Sequence, residues 1–428
     1  MITPLARVVR TSPIRVPGGR RRLWIIGWAG AACWAMGLVM FSTLPTHRAW
    51  GLSAAAGYLG AALFALQLPR PRARALSVAS ALTGAVAVPF LYLIWTGQAQ
   101  SEVGVVERSA TLLLHHGTPY LADPQTVTDY NPYLPGMALF GLPGGLLDDT
   151  TAPARLLGDA RLWCALVLLV CLVAGRAVLR PARTAGPPGR SASTTALAVL
   201  VASPLVALPL CVSGVDLPLA GLCWLGLALA AGRKPGAAGL VLAAACSLKW
   251  TAVPALVVAA ALIGSHAGSR AALRCVGAWL AGILALMLPV ALVSPGPLAE
   301  QVFAFPVGRG AVATPAASPL PGRLLAELGP AGWYAAVLLL LCGGVAVACS
   351  LVVRPPTDAV AAADRLALGL CVAFLFAPAT RFGYFTLPLL LVIWARLSTS
   401  TGRGRAGETV VAERSAASTR LIMAGETR

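Results

Sequence analysis

Apolar runs of about 18 residues or more recur along the whole chain, and no other feature restricts its fold as strongly. A run of this length can cross the hydrocarbon core of a bilayer as a helix. Only 11% of the residues are charged, whereas a soluble domain has about 25%. Since backbone polar groups in lipid must be satisfied within the protein, the sequence predicts an all-α, polytopic transmembrane helix bundle.

About twelve crossings are predicted from these runs. The run 236–263 is interrupted by "SLKWTAVP", where one continuous helix would place Lys249 inside the membrane at a cost of about 2.5–3.5 kcal/mol. We therefore prefer two short helices that meet near Lys249. With these two helices, the predicted spans are 23–44, 50–68, 75–97, 162–179, 194–212, 217–232, both halves of 236–263, 271–293, 331–353, 364–379 and 383–397.

Arginines in the short connections predict the orientation, because basic residues mark the cytoplasmic side. The N-terminus 1–22, the connection "PRPRAR" (69–74) and the connection 180–193 are all basic. The membrane domain is then 23–397, with outer loops at 98–161 and 294–330, and the polar tail 398–428 is a disordered cytoplasmic segment. The Ala/Gly/Arg/Pro-rich usage is typical of a bacterium with a GC-rich genome, so we expect its plasma membrane.

The same distribution excludes a nucleic-acid partner, despite the formal net charge of +18. The arginines lie in short loops between apolar runs and do not form one soluble basic face. The scattered cysteines and the pair His115 and His116 have no metal-ligand spacing, so no metal site is predicted and the need for a divalent cation stays open.

The first outer loop combines two unusual elements. Residues 101–116 have an apolar stripe at helical spacing, which predicts an amphipathic helix on the outer leaflet. Residues 132–147 are apolar, short and rich in proline, which predicts a re-entrant hairpin that does not cross the membrane fully. Irregular backbone at membrane depth is tolerated only against protein or a wet cavity, so this hairpin should line something.

Acidic residues are concentrated in this loop. Glu102 and Glu107 lie on the two edges of the predicted stripe, and each is either a solvated rim charge or a general base. Glu102 follows Ser101 at the helix start, where the helix dipole favours an ionised carboxylate. Lys249 and Arg381 end apolar segments and either snorkel to the interface or bind a phosphate. Tyrosines nearby either form an interfacial belt or stack on sugars; these candidates are Tyr120, Tyr130, Tyr133 and Tyr384.

Four segments together resemble glycosyltransferase family 87, a group of polytopic bacterial enzymes of the GT-C class. They are "ERSATLLLHHGTPY", "YNPYLPGMALFGLP", "SLKWTAVP" and "APATRFGYFTLPLLLVIWA", within residues 98–397. The resemblance implies transfer of a hexose or pentose, mannose-like, from a polyprenyl-phosphate donor to a glycan or glycolipid acceptor on the outer face, with inversion.

The resemblance also implies roles for individual residues. An outer-loop carboxylate deprotonates the acceptor, and it maps onto Glu102 or Glu107, with Asp129 left open, although the family commonly has aspartate there and this loop follows the third predicted span. Lys249 and Arg381 map to the lipid phosphate. The alternative is a transporter or a lipid-linked-sugar flippase, which would also use broken helices and a charge such as Lys249. The acids lie outside and no inverted repeat is evident, which favours the enzyme.

Overall fold

The computed structural model describes residues 19–147, 151–180 and 190–399. The predicted basic N-terminus, the tail and most of the connection 180–193 lie outside the described residues. Within these ranges the chain is helical, with a single isolated parallel β-bridge between Ala317 and Thr380 and no β-strand. The predicted all-α fold is therefore confirmed.

The first half of the chain contains helices α1 (Gly19–Phe41), α2 (Pro45–Gln67), α3 (Arg70–Leu82), α4 (Val88–Trp95), α5 (Ser101–His116), α6 (Leu142–Leu146), α7 (Ala152–Gly158), α8 (Ala160–Val178), α9 (Arg190–Ala202) and α10 (Pro204–Val212). The second half contains α11 (Leu217–Ala231), α12 (Pro235–Leu248), α13 (Val253–Ala267), α14 (Ser269–Val293), α15 (Pro295–Leu298), α16 (Pro321–Ala326), α17 (Pro330–Val353), α18 (Ala359–Phe376) and α19 (Phe382–Thr399). Shorter turns are 3-10 helical at Pro135–Gly141, Trp250–Ala252, Phe305–Val307 and Phe382–Phe385, and π-helical at Thr83–Ala87 and Ala299–Ala304.

Proline and glycine set many of these boundaries. Prolines occupy the first helical position of α2, α10, α12 and α17, where the missing N–H costs no hydrogen bond. Gly117 ends α5 in the left-handed conformation (φ 71°), and its N–H bonds to the Leu113 carbonyl. The predicted range 101–116 for this helix is therefore confirmed.

Nine helices within the described residues are long and apolar enough to cross a membrane. They are Arg21–Phe41, Pro45–Gln67, Arg72–Trp95, Ala160–Val178, Trp250–Ala267, Ser269–Val293, Pro330–Val353, Ala359–Phe376 and Phe382–Thr399. A tenth candidate is the pair Thr194–Ala202 and Pro204–Val212, bent by 62°. The shorter apolar helices Leu217–Ala231 and Pro235–Leu248 occupy the two remaining predicted spans, so the protein is a multi-pass membrane protein and the count of about twelve stays a prediction.

Helix α11 lies in the centre of the bundle, buried along most of its length, and contacts α8, α12, α13 and α18. Helices α14 and α17 instead expose most of their apolar side chains, as helices that face lipid do. The interruption of 236–263 is confirmed, because α12 ends at Leu248 and α13 begins at Val253.

The predicted hairpin 132–147 is a 3-10 helix followed by the single turn α6 over its described residues, which is too short to cross a membrane. It packs against α5, and Gly141 approaches the α5 backbone at Val106. Consequently Val103, Val106 and Ala110 of the predicted lipid-facing stripe are buried against protein. This differs from the expectation for a helix that lies free on the leaflet, because the sequence does not reveal which segment covers the stripe.

Candidate active site

A cavity of about 2110 Å³ lies where the loops between helices meet the bundle. Ligand pockets commonly have about 300–1,000 Å³, so this one has room for two substrates. One part of its wall is apolar and comes from membrane helices α1, α10, α17 and α18. The side chains there are Trp34, Leu38, Leu205, Leu208, Leu340, Leu370 and Phe374.

The polar part of the wall has a balanced set of charges. Apart from tyrosines, the titratable side chains among the described lining residues are His47, Glu102, Asp216, Lys249 and Arg381. They come from five separate places in the chain, each at or near a helix end. Two carboxylates and two permanent cations thus face one apolar-walled cavity.

These four charges form two ion pairs. Arg381 donates a hydrogen bond from its guanidinium to the Glu102 carboxylate. The Lys249 Nζ lies 3.0 Å from the Asp216 Oδ1. The same ammonium lies 4.7 Å from the ring centroid of Tyr384 and 5.7 Å from that of Tyr133. Aromatic faces attract a cation, so both rings stabilise Lys249 in its charged form.

The break between α12 and α13 positions Lys249. Its backbone is extended (φ −156°, ψ 131°), which ends α12 and turns the side chain off the helix. The Leu134 N–H bonds to the Leu248 carbonyl at 3.0 Å, so the 131–141 segment fastens the break. Gly136 packs directly on Ser247, where a Cβ atom would lie 2.2 Å from the hydroxyl oxygen. Only glycine permits this approach.

A buried clamp fixes the start of α5 and hence Glu102. The Arg161 Nη1 donates to the Gln98 carbonyl at 3.1 Å and to the Cys211 carbonyl at 2.6 Å. Its remaining N–H groups pair with Asp159, with an Nη2–Oδ2 distance of 2.6 Å. Because Arg161 is only 2% exposed, this network holds the chain before Glu102 against the end of α10.

The segment 294–330 holds Arg381. The Thr380 N–H bonds to the Ala316 carbonyl, and the Ser318 N–H bonds to the Thr380 carbonyl, both at 2.9 Å. The Phe382 N–H then bonds to the Ser318 hydroxyl at 3.1 Å. Arg381 is thereby fixed in extended conformation directly before α19.

The environment keeps both cations charged. Burial alone would lower the pKa of Lys249, but the Asp216 carboxylate and Tyr384 outweigh it and leave that pKa above its usual value. Burial likewise acts to lower the pKa of Arg381, and Glu102 reverses the effect. Two protonated cations at an apolar-walled cavity can stabilise a phosphate.

The sequence over residues 131–378 matches glycosyltransferase family 87, which is more than half of the chain. The chain belongs to glycosyltransferase family 87. It is therefore a membrane glycosyltransferase, as the resemblance predicted, and the alternative of a transporter or flippase gains no support. The matched range contains Asp216 and Lys249, whereas Glu102 and Arg381 lie outside it. No curated protein and no solved structure gives a significant match.

Of the three candidate bases in this family 87 enzyme, only Glu102 lines the cavity. Glu107 points to the start of α8, where it accepts a bond of 3.5 Å from the Ala160 N–H. Burial, and then the charge of Asp159, raises the pKa of Glu107. The Oδ2 of Asp129 accepts bonds from the N–H and the hydroxyl of Thr126 and from the Gln125 N–H, and these bonds lower the pKa of Asp129.

The four candidate tyrosines divide into two groups. Tyr130, Tyr133 and Tyr384 line the cavity. Tyr130 stacks on Phe305 with ring centroids 4.3 Å apart. Tyr120 lies behind this layer, where its hydroxyl donates to the Tyr133 carbonyl at 2.9 Å. Tyr120 therefore supports Tyr133 from outside the cavity.

Sequence reasoning did not select Asp216 or His47. Asp216 lies in the short turn between two apolar helices, and an isolated acid there is the signal that could have indicated a partner for Lys249. The His47 Nε2 lies 3.2 Å from the Gln100 Nε2, and a histidine at the start of a span carries no comparable signal. Among the residues that the structure describes, no group of three or more His, Cys, Asp or Glu side chains could hold a metal ion.

Proposed function

We propose that this protein transfers a sugar from a polyprenyl-phosphate donor to a hydroxyl group of a glycan or glycolipid, with inversion at the anomeric carbon. The observation that supports it is the pairing of Glu102 with Arg381 beside Lys249, on a cavity whose wall is apolar where the membrane helices line it. The sugar is a hexose or pentose. We further propose that the reaction occurs at the outer face of a bacterial plasma membrane, with both termini in the cytoplasm.

The two cations suit the donor phosphate. A polyprenyl-phosphate sugar has one negative charge on its phosphodiester, and its leaving group gains a second as the glycosidic bond breaks. Preorganised cations in a dry site stabilise such a developing charge strongly. The apolar side chains of α17 and α18 next to this point, including Leu340 and Phe374, suit the prenyl chain.

Donor binding would also prepare the base. Arg381 is paired with the Oε1 of Glu102, so its guanidinium occupies a carboxylate oxygen that could otherwise accept the acceptor proton. A donor phosphate that takes up part of the guanidinium leaves Glu102 more free to accept a proton. The acceptor oxygen then attacks the anomeric carbon while the bond from that carbon to the phosphate oxygen breaks. The electron pair of that bond goes to the phosphate, and the acceptor proton goes to the Glu102 carboxylate.

The aromatic wall suits the sugar. Tyr130 and Tyr133 line the same cavity, and the Tyr133 ring centroid lies 5.7 Å from the Lys249 ammonium. Sugars stack their C–H faces on such rings, and the adjacent carboxylates accept bonds from sugar hydroxyls. The cavity is large enough to hold both substrates. When they meet here, they would exclude water from the reacting atoms.

A transfer assay tests the proposal. Purified protein is incubated with radiolabelled polyprenyl-phosphate hexoses and pentoses and with a membrane-lipid extract as acceptor. We expect label in the acceptor and release of polyprenyl phosphate. Lys249→Met should abolish this transfer, whereas Lys234→Met, which removes the only other lysine and lies outside the cavity, should not. Transfer from a nucleotide sugar instead, or equal activity in both lysine variants, contradicts the proposal.

A further inference from the structure

The Asp216–Lys249 pair raises a question that the transfer reaction does not answer. Lys249 suits the donor phosphate, yet its ammonium already has a carboxylate partner at 3.0 Å on the cavity wall. Asp216 precedes α11 and its side chain makes no capping bond to that helix. Instead, the Asp216 carboxylate accepts a hydrogen bond from the Lys249 ammonium. Helix capping therefore does not explain why a carboxylate is paired with Lys249 on the cavity wall.

We propose that Asp216 sets the charge selectivity of the phosphate site, so that the doubly charged prenyl phosphate product leaves and the singly charged donor binds. This inference rests on the proposed function of the same site. Asp216 acts through Lys249 and on the ligand's charge, and so it is a specificity-determining residue that touches no reacting atom.

The argument is electrostatic. The site as it stands has two cations and two carboxylates, and it is therefore close to neutral before the donor arrives. Without the carboxylates, Lys249 and Arg381 would attract a dianion about twice as strongly as a monoanion, since Coulomb energy scales with ligand charge. The product is a phosphate monoester whose second pKa is about 6, so it is a dianion at neutral pH. The product would then bind more tightly than the donor and inhibit the enzyme.

Asp216 opposes this outcome in two ways. It competes with the phosphate for the Lys249 ammonium, and it repels each added negative charge on the ligand. The Asp216 side chain is 33% exposed and the Lys249 side chain 15%, and their charged groups are 3.0 Å apart on the cavity wall. A ligand phosphate that reaches Lys249 must therefore approach this carboxylate, and the repulsion is larger for the dianion.

Glu102 cannot supply the same selectivity throughout the cycle. In the proposed reaction Glu102 receives the acceptor proton, so its negative charge is absent when the product phosphate has formed. Asp216 takes up no proton in this reaction and keeps its charge at that moment. Its position beside the second cation is what this role requires.

Three ligands with the same apolar part and different charge provide the test. Farnesyl phosphate has two negative charges at pH 8, its methyl ester has one, and farnesol has none. Binding of each to the purified full-length protein is measured by calorimetry. For Asp216→Asn we expect the Kd of farnesyl phosphate to fall about tenfold, that of the methyl ester about threefold, and that of farnesol not at all.

Control variants separate charge from structure. Asp216→Glu keeps the charge and should keep the wild-type order of affinities. Asp364→Asn removes the carboxylate of another ion pair, which contacts Arg396 at 2.7 Å outside the cavity, and should change no affinity. Asp216→Ser provides the same charge removal if Asp216→Asn cannot be purified in folded form.

The outcomes are distinct. A change for Asp216→Asn that grows with ligand charge supports the inference. An equal change for all three ligands in Asp216→Asn, or weaker binding of farnesyl phosphate to this variant, overturns the inference. The proposed function then still stands, provided that binding of farnesyl phosphate to the wild type depends on Lys249. No binding of farnesyl phosphate to the wild type overturns the phosphate site itself and this inference with it.

Discussion

Replacing Glu102 by glutamine is the most direct test of the proposed base. The substitution keeps the size of the side chain and its ability to accept a hydrogen bond from Arg381, but it removes the charge that takes the acceptor proton. A positioned general base contributes about 10²–10⁴-fold to the rate. Turnover of Glu102→Gln should therefore fall by about that factor, which corresponds to about 2.7–5.4 kcal/mol of activation free energy.

The structure also predicts an effect on donor binding with the opposite sign. Arg381 is 35% exposed and loses its ionic partner in Glu102→Gln. Its guanidinium then interacts with the donor phosphate with less competition, because a neutral amide holds it more weakly than a carboxylate, so the KM for the donor should stay the same or fall while kcat falls. A general loss of structure would raise KM, lower kcat and lower the melting temperature together. Kinetics with purified donor and a thermal unfolding scan distinguish these cases.

Two further variants complete the experiment. Glu107→Gln lies on the same helix outside the cavity and should keep turnover near that of the wild type. Glu102→Asp keeps the charge but draws it back by one methylene, and it should recover part of the activity that Glu102→Gln loses. Near-normal turnover in Glu102→Gln, or an equal loss in Glu107→Gln, would refute the assignment, and Asp216 would be the next carboxylate to test.

Three more predictions concern the fold and its pH dependence. The native pKa of Glu107 is raised above its unfolded value, so ionisation of Glu107 destabilises the fold as the pH rises above the unfolded value. Glu107→Gln should therefore raise the melting temperature at pH 8 and not at pH 4. Gly136→Ala places a methyl group against Ser247 and should lower both stability and donor binding, measured by thermal unfolding and calorimetry. In a cysteine-free background, cysteines at Thr128 and at Ser415, which lies outside the described residues, should react with a membrane-impermeant label from opposite sides, and labelling from one side contradicts the predicted orientation.

Local features of the fold could be predicted from the sequence because each depends on neighbouring residues. The range of α5 follows from its apolar spacing and from Gly117, which ends it. The break at Lys249 follows from the cost of burying an ammonium within a helix. Both signals are contained within about 20 residues, a length that periodicity and charge describe well.

The composition of the site could not be predicted to the same extent, because its contacts join distant segments. Glu102 and Arg381 are separated by 279 residues, and no local pattern indicates that they meet. The choice between Glu102 and Glu107 depended on which edge of α5 faces the cavity. That is decided by the 131–141 segment packed against the helix, a contact between two apolar stretches that many arrangements could satisfy.

The four charges of the cavity share one structural property that connects the fold to the chemistry. Each lies where a helix begins, ends or is interrupted: Glu102 in the first turn of α5, Asp216 directly before α11, Lys249 between α12 and α13, and Arg381 before α19. In a bundle of apolar helices, such interruptions are where charged side chains and unpaired backbone groups can share polar partners. Two positive and two negative charges are paired there, and each pairing offsets part of the desolvation cost that the charge would have without a partner. A phosphate that enters disturbs this balance by its own charge, and the disturbance grows when the phosphate becomes a dianion. Glu102 has taken the acceptor proton at that stage, so Asp216 is the carboxylate whose charge would favour the departure of the product once the sugar has been transferred.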